Sequence, residues 1–315
     1  MTSFTPQELA DHLKEGLLSF PVTAFTQNFE LDEDLYREHV SWQSSFDVRG
    51  LFAAGGTGEG FSLTREENKR VVRAAVESSR SEVPVLGSAG GPIKDAIGLA
   101  RGAQEAGAEG ILLLPPYLTE NGQAGLLEYA SAVTNSVDIA VIVYNRANAM
   151  YSAETVAELS KRHENFVGFK DATGNIEHLA KVYAHNGDRL FYLGGLPTAE
   201  TYALPLLQLG MSTYSSAMYN FVPEFAFEFY RDVRNQDRVA VNEKLNRFVL
   251  PYLEIRDRGK GFGVSIVKAG LRAVGRNAGP VRAPLHDLNE QDLTDLKELI
   301  QKAGVAGSQQ NALTR

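Results

Sequence analysis

Residues 166–175 read FVGFKDATGN, a stretch in which a short strand is followed directly by the start of a helix. The apolar run before Lys170 is typical of a buried strand. The Asp-Ala-Thr-Gly sequence that follows is typical of a turn that caps a helix. The stretch therefore predicts one strand and one helix, with Lys170 at the junction between them.

Seven other segments show the same arrangement of an apolar strand followed by an amphipathic or alanine-rich segment. Near-continuous apolar strands indicate a parallel sheet that is buried on both faces. We therefore predict an α/β fold, a (β/α)8 TIM barrel over residues 1–222, with an open doubly wound sheet as the alternative. The predicted strands end about 20 to 32 residues apart, as βα units require, near Phe25, Gly55, Gly87, Pro115, Tyr144, Lys170, Gly194 and Ser215.

The chain after residue 222 follows a different pattern. Residues 223–273 predict helices only, with an interruption at the glycine-rich GKGFG of residues 259–263. A last helix is predicted over about residues 290–303. We interpret residues 223–315 as a C-terminal helical extension that packs on the barrel.

The composition argues against several classes of function. A net charge of −8 argues against a nucleic-acid partner, because phosphate contacts need clustered lysine and arginine. The absence of cysteine excludes disulfides and thiolate sites and fits a reducing compartment. The first residues do not resemble a signal peptide, and no apolar run is long enough to cross a membrane. The six histidines show no ligand spacing. We expect a cytoplasmic protein without metal, cofactor or membrane partner.

Lys170 is the candidate catalytic residue. Lysine is rarely found in apolar surroundings, because its charge loses hydration there. Where it is, its pKa falls and the neutral amine becomes a nucleophile that attacks carbonyl groups. The alternative is a structural lysine that reaches solvent or pairs with Asp171.

A glycine-rich segment, GGTGEG at residues 55–60, ends the second predicted strand. The active site of a TIM barrel lies at the carboxyl ends of its strands. The backbone N–H groups of such a segment can hold a carboxylate or a phosphate. The segment is neither a P-loop nor a dinucleotide fingerprint, because no Lys-Ser or Lys-Thr pair follows and Phe61 occupies the third glycine position. A tight turn without a ligand is the alternative.

The fifth strand ends in YNRANA, residues 144–149. Tyr144 can relay protons to and from a substrate, and Arg146 can pair with a carboxylate. The alternative for Tyr144 is a side chain that caps the barrel core. At the ends of other strands we expect Tyr117 to cover the site or contact a neighbouring subunit, and the substrate to meet Gly195, Tyr214 and Ser215. We expect Ser216 to line the pocket with Tyr214 and Ser215.

Together these motifs resemble the dihydrodipicolinate synthase and N-acetylneuraminate lyase superfamily, over about residues 17–273. The resemblance implies that Lys170 forms a Schiff base with the substrate and that Tyr144 relays protons. It implies that Thr57, with the backbone at Gly56, binds the carboxylate of a 2-oxo acid and orients Tyr144. It also implies a homotetramer, a dimer of dimers, in which Tyr117 reaches the neighbouring subunit's site.

Two departures favour one branch of this superfamily. The synthases carry two threonines where this chain has Gly56 and Thr57, and an arginine for their aldehyde substrate where this chain has Ala149. YNRANA with GGTGEG is more similar to the 5-dehydro-4-deoxyglucarate dehydratases, in which case Arg146 or Asn148 holds the far end of a sugar diacid. The expected reaction is loss of water and CO2 to form 2,5-dioxopentanoate. The alternatives are a pyruvate-dependent aldolase or synthase and a non-catalytic sugar-acid binding barrel.

Overall fold

A computed structural model describes residues 3–146 and 148–306 as a closed barrel of eight parallel strands in sequence order. The barrel closes where Leu18 bridges to Ser215 and where the Ser216 N–H donates to the Leu18 carbonyl at 3.0 Å. The predicted (β/α)8 barrel is confirmed, and the open doubly wound alternative is wrong. The strands are β1 Leu18–Ser19, β2 Gly50–Phe52, β3 Val85–Ala89, β4 Gly110–Leu113, β5 Ala140–Asn145, β6 Phe166–Asp171, β7 Phe191–Gly194 and β8 Thr213–Tyr214.

Strands β1 and β2 end earlier than the sequence predicted. The first ends at Ser19 rather than near Phe25, because Pro21 has no N–H to donate to the ladder. Phe25 instead forms an antiparallel bridge with Leu31. The second ends at Phe52 because Ala54 takes a φ of 54° and turns the chain out of the sheet.

Eight helices accompany the strands within the barrel part of the described chain. The predicted capping box is confirmed: Thr64 N donates to Glu67 Oε2 at 2.9 Å, and Glu67 N donates to Thr64 Oγ1 at 3.2 Å. The sequence did not predict the first helix, Pro6–Leu13, whose Leu9, Ala10 and Leu13 pack into the lower end of the barrel. The helices are α1 Pro6–Leu13, α2 Glu33–Ser44, α3 Arg65–Ser78, α4 Ile93–Glu105, α5 Gln123–Thr134, α6 Ala153–Arg162, α7 Ile176–Asn186 and α8 Glu200–Leu207.

The barrel has two apolar layers, one inside the strands and one between strands and helices. Alternate residues of a strand face opposite sides, so Ile142 and Tyr144 face inward while Val141 and Val143 face outward. This alternation places Tyr144 inside the barrel.

Strand β6 does not keep a strict alternation. Phe166 and Phe169 both lie in the outer layer, although they are three positions apart and strict alternation would place them on opposite faces. The register with β5 shifts between Val141 and Ile142, where the chain pairs with Phe166 and then Gly168. Such a bulge moves every later side chain to the other face. It therefore brings Lys170 into the barrel.

Residues 223–273 form helices without strands, as predicted. The helices Arg238–Lys244 and Leu250–Arg256 are joined without a break by a π-helical turn at Leu245–Val249. A glycine-containing segment separates them from the helix Phe262–Ala273. None of the helices in the described ranges has both the length and the apolar character needed to span a membrane. The division at residue 222 stays a prediction. The helices are α9 Pro223–Arg234, α10 Arg238–Lys244, α11 Leu250–Arg256, α12 Phe262–Ala273 and α13 Glu290–Ala303.

Candidate active site

A cavity of about 360 Å³ opens at the carboxyl ends of the strands. A larger cleft of about 680 Å³ adjoins it, and the two share Gly56, Phe61, Tyr144 and Arg146. Tyr117 and Asn148 line only the larger cleft. The predicted residues that line the smaller cavity are Gly56, Thr57, Tyr144, Arg146, Lys170, Gly195 and Ser215.

Lys170 lines this cavity and has 5% of its surface exposed. Its Nζ is 3.7 Å from the centre of the Phe20 ring and 4.6 Å from the centre of the Tyr144 ring. Within the described residues, none of its atoms takes part in an ion pair. Burial, and secondarily the positive charge of Arg146, hold the pKa of Lys170 well below its usual range. The amine is therefore suited to be neutral and nucleophilic.

Asp171 does not pair with Lys170, so the structural alternative for the lysine is wrong. The Asp171 carboxylate is buried and accepts from Asn145 Nδ2 and Thr173 Oγ1, both at 2.8 Å. It also accepts from the N–H groups of Thr173 and Gly174. These bonds form the turn that precedes α7, so Asp171 is not a counter-ion for the lysine.

Gly195 gives the lysine stem its path. A Cβ at this position would lie 2.5 Å from Lys170 Cε and 2.7 Å from Cγ, closer than carbon atoms pack. The Gly195 N–H donates to the Asp171 carbonyl at 2.7 Å, which fixes this backbone beside β6. Gly195 therefore positions Lys170 by having no side chain.

Tyr144 lies beside the lysine and lines both the cavity and the adjoining cleft. The hydroxyl donates to the Gly195 carbonyl at 2.9 Å, and no hydrogen bond joins it to Thr57 within the described ranges. Burial raises the pKa of Tyr144, and the charge of Arg146 opposes that shift. The phenol is therefore protonated and can donate a proton.

The glycine-rich loop is held by a buried ion pair that the sequence analysis missed. Lys268 Nζ on α12 lies 2.7 Å from Glu59 Oε1, and both side chains are fully buried. Lys268 also donates to the Pro280 carbonyl at 2.7 Å, and the Arg282 N–H donates to Glu59 Oε2 at 2.9 Å. Glu59 takes the left-handed conformation, with φ 54°. The signal was a lysine inside the apolar run SIVKAG, residues 265–270.

The side chains at the end of β8 face two different sides of the barrel wall. Ser215 lines the cavity, but Tyr214 faces the outer layer, where its ring lies 5.8 Å from that of Tyr230. The prediction that Tyr214 contacts substrate therefore needs correction, because neighbouring strand residues point to opposite faces. Ser216 lines the cavity, as the sequence predicted, and is hydrogen-bonded to the buried Glu200.

The remaining predicted residues lie at the rim. Arg146 is exposed, its guanidinium 5.9 Å from the centre of the Tyr144 ring, and its backbone pairs with that of Ala149 in a tight loop. Asn121 Nδ2 donates to the Asn148 carbonyl at 2.8 Å. Tyr117 is 84% exposed. Within residues 3–146 and 148–306, no group of three or more His, Cys, Asp or Glu could hold a metal ion.

Comparisons with known proteins agree on one family. The model of the dihydrodipicolinate synthetase family matches residues 13–303. A probable 5-dehydro-4-deoxyglucarate dehydratase of Corynebacterium glutamicum is 67% identical over 308 residues, 98% of this chain and 97% of that relative. A protein of the same name from Pseudarthrobacter chlorophenolicus is 68% identical over 300 residues, 95% of this chain and 99% of that relative.

Solved structures show the same fold. The dihydrodipicolinate synthase of Bacillus clausii superposes with a TM-score of 0.85 at 26% identity, over 93% of this chain and 98% of the other. YagE, a prophage protein of the dihydrodipicolinic acid synthase family from E. coli K12 whose structure contains pyruvate, gives a TM-score of 0.83 at 27% identity, over 92% of this chain and 99% of the other. With the family model matching residues 13–303, the chain belongs to the dihydrodipicolinate synthetase family.

Proposed function

We propose that the chain is a decarboxylating dehydratase that converts 5-dehydro-4-deoxyglucarate to 2,5-dioxopentanoate through a Schiff base on Lys170. The observation that carries the proposal is the amine of Lys170, which is buried without a counter-ion among the described residues and lines a cavity with Tyr144. The names of relatives that are about two-thirds identical support the choice of substrate.

The first chemical step is formation of the iminium. The neutral amine of Lys170 attacks the ketone carbon, and the resulting hydroxyl leaves as water. The Tyr144 phenol lies beside the amine, since its ring centre is 4.6 Å from Nζ, and can give its proton to the departing hydroxyl. The iminium is an electron sink that acidifies the adjacent CH2 group.

Dehydration and decarboxylation then follow from the electron sink. The phenolate of Tyr144 accepts the CH2 proton and, as the phenol again, gives it to the hydroxyl that leaves in the next step. The hydroxyl one carbon further along leaves as water and extends the conjugation. The electrons of the bond to the far carboxylate flow into the conjugated iminium as CO2 departs. Protonation and hydrolysis then release 2,5-dioxopentanoate and restore the lysine.

We assign the two carboxylates of the substrate to two places, the glycine-rich loop and the arginine at the adjoining cleft. We assign the carboxylate next to the ketone to the loop at Gly56 and Thr57, because glycine-rich turns expose backbone N–H groups. We assign the far end to Arg146, whose guanidinium reaches the cleft that adjoins the cavity, with Asn148 beside it.

The test is turnover of 5-dehydro-4-deoxyglucarate by the purified chain, followed by CO2 release and by 2,5-dioxopentanoate formation. We expect one CO2 and one semialdehyde per substrate consumed. Pyruvate as the product would instead indicate an aldolase. Absence of turnover at micromolar enzyme would end the dehydratase assignment.

We also propose that the chain assembles as a homotetramer built from two tight dimers, as the family resemblance implies. Tyr117 and Leu118, 84% and 54% exposed, present an apolar surface beside the larger cleft, which supports a contact with a second copy there. A molar mass of one chain in solution by light scattering would contradict this assembly.

A further inference from the structure

Glu200 is a buried carboxyl group that the steps above do not use. It is the first residue of α8, and 1% of its surface is exposed. Its Oε1 is hydrogen-bonded to Ser216 Oγ at 2.5 Å. Its Oε2 has no hydrogen-bond partner within the described residues, and none of the ion pairs there includes Glu200. A buried carboxyl group without a cation is far less costly when it is neutral.

The groups that face Glu200 do not supply that cation. Two phenols approach it, Tyr214 from β8 and Tyr252 from α11, and a negative charge on Glu200 would hinder the ionisation of both. Arg256 of α11 directs its guanidinium to Thr198 Oγ1 at 2.6 Å and to Asp257 at 2.7 Å. Burial raises the pKa of Glu200, and the hydrogen bond to Ser216 opposes that shift.

The protonation of Glu200 decides what Ser216 offers to the cavity. A serine hydroxyl has one proton to donate and two lone pairs. One lone pair of Ser216 Oγ accepts from the Tyr219 N–H at 3.3 Å. If the Glu200 carboxyl donates to the second lone pair, the serine proton is left to point into the cavity that Ser216 lines. If Glu200 is ionised, it takes the serine proton, and Ser216 offers only a lone pair.

We propose that Glu200 is a positioning residue whose protonated carboxyl donates to Ser216, so that the Ser216 hydroxyl donates to a carboxylate oxygen of the bound diacid. The inference rests on the proposed function for the identity of that substrate. A dianion needs hydrogen-bond donors, and a negative charge directly behind Ser216 would repel it. Ser216 therefore favours a substrate with a carboxylate at this place, and Glu200 sets the direction in which the Ser216 hydroxyl donates its proton.

The test uses Ser216→Ala, Glu200→Leu, Glu200→Gln and the double variant Ser216→Ala/Glu200→Leu in the full chain. We expect Ser216→Ala and Glu200→Leu each to lower kcat/KM for 5-dehydro-4-deoxyglucarate about 10- to 100-fold, as for a lost hydrogen bond to a charged group. The double variant should fall no more than about threefold below Ser216→Ala, because Glu200 acts only through that serine. Glu200→Gln should stay within about threefold of the original chain, since its amide also donates.

The pH profile separates positioning from a merely structural role. Glu200 loses its proton as pH rises through its raised pKa, so kcat/KM of the original chain should fall as pH rises through that pKa. Glu200→Gln should lack that fall. Any of four results would overturn the proposal. The first two are wild-type activity in Glu200→Leu or Ser216→Ala, and a full additional loss of activity in the double variant. The others are a loss in Glu200→Gln equal to that in Glu200→Leu, and a fall of kcat/KM with rising pH in Glu200→Gln that matches the original chain.

A second readout keeps this inference apart from the choice of substrate. Borohydride trapping with 2-oxoadipate, a six-carbon 2-oxo diacid, gives the concentration for half-maximal labelling of each variant. If the original chain is labelled but does not turn over the sugar diacid, the dehydratase proposal fails. The Glu200 proposal then stands only if the concentration of 2-oxoadipate for half-maximal labelling rises about 10- to 100-fold in Ser216→Ala and in Glu200→Leu. The same concentration should not rise in Glu200→Gln. No labelling of the original chain would overturn both.

Discussion

Gly195→Ala places a methyl group where the stem of Lys170 passes. The added Cβ would lie 2.5 Å from Lys170 Cε, 2.7 Å from Cγ and 3.0 Å from the Asp171 carbonyl oxygen. Carbon atoms pack at about 3.5–4.0 Å, so the lysine has to retreat by about 1 Å. The φ of Gly195 lies outside the left-handed region, so the alanine backbone itself is unstrained. The change therefore acts on the lysine side chain.

The displacement sets the size of the expected effect. A misplacement of about 1 Å costs about 10²-fold in rate, which corresponds to about 2.7 kcal/mol. Overpacking at this site should also lower the free energy of unfolding by about 1–3 kcal/mol. We expect kcat to fall about 100-fold, because the amine no longer meets the ketone in the geometry needed for attack.

The assay compares single-turnover rates and the rate of borohydride trapping on Lys170 for both proteins. Gly125→Ala on α5 is the matched control, because nothing lies within 4 Å of the Cβ it adds. That control should keep wild-type rates. Trapping and turnover in Gly195→Ala at the wild-type rate would refute the claim that this glycine positions the lysine.

Two further substitutions test the buried charges. Lys268→Met leaves Glu59 buried without its cation, so the free energy of unfolding in urea should fall by about 3–5 kcal/mol. The double variant Lys268→Met/Glu59→Gln should recover part of that loss. An unchanged urea midpoint in Lys268→Met would contradict a stabilising role for the ion pair. Lys170→Met should abolish turnover and raise Tm at pH 7 by about 2 °C or more. Because the pKa of Lys170 is lowered in the folded state, the buried lysine destabilises the fold at pH values below its unfolded pKa of about 10.4. The gain in Tm should therefore fade above that pH. A lower Tm of Lys170→Met at pH 7 would contradict this reasoning.

The barrel could be predicted from the sequence because each strand and most helices carry local signals. Thr64 and Glu67 form the expected capping box, and Asn175 caps α7 after the expected turn. The direction of the Lys170 side chain has no such signal. Strict alternation from Phe166 would place Lys170 in the outer layer, and only the bulge in the pairing with β5 brings it inside.

Contacts between distant parts of the chain also could not be predicted from the sequence. Glu59 and Lys268 belong to the glycine-rich loop and to α12, and only the closed barrel with its C-terminal helices brings them together. Glu200 at the start of α8 and Ser216 after β8 are closer in the sequence, but they too meet only once the chain is folded. Tyr214 was misjudged because its position relative to the barrel wall depends on the register of a two-residue strand.

Mass spectrometry after borohydride reduction with 5-dehydro-4-deoxyglucarate tests the buried amine most directly. We expect one covalent adduct per chain, on the peptide that contains Lys170, and no adduct in Lys170→Ala. Labelling at another lysine, or equal labelling of the Lys170→Ala variant, would contradict the assignment of Lys170 as the nucleophile.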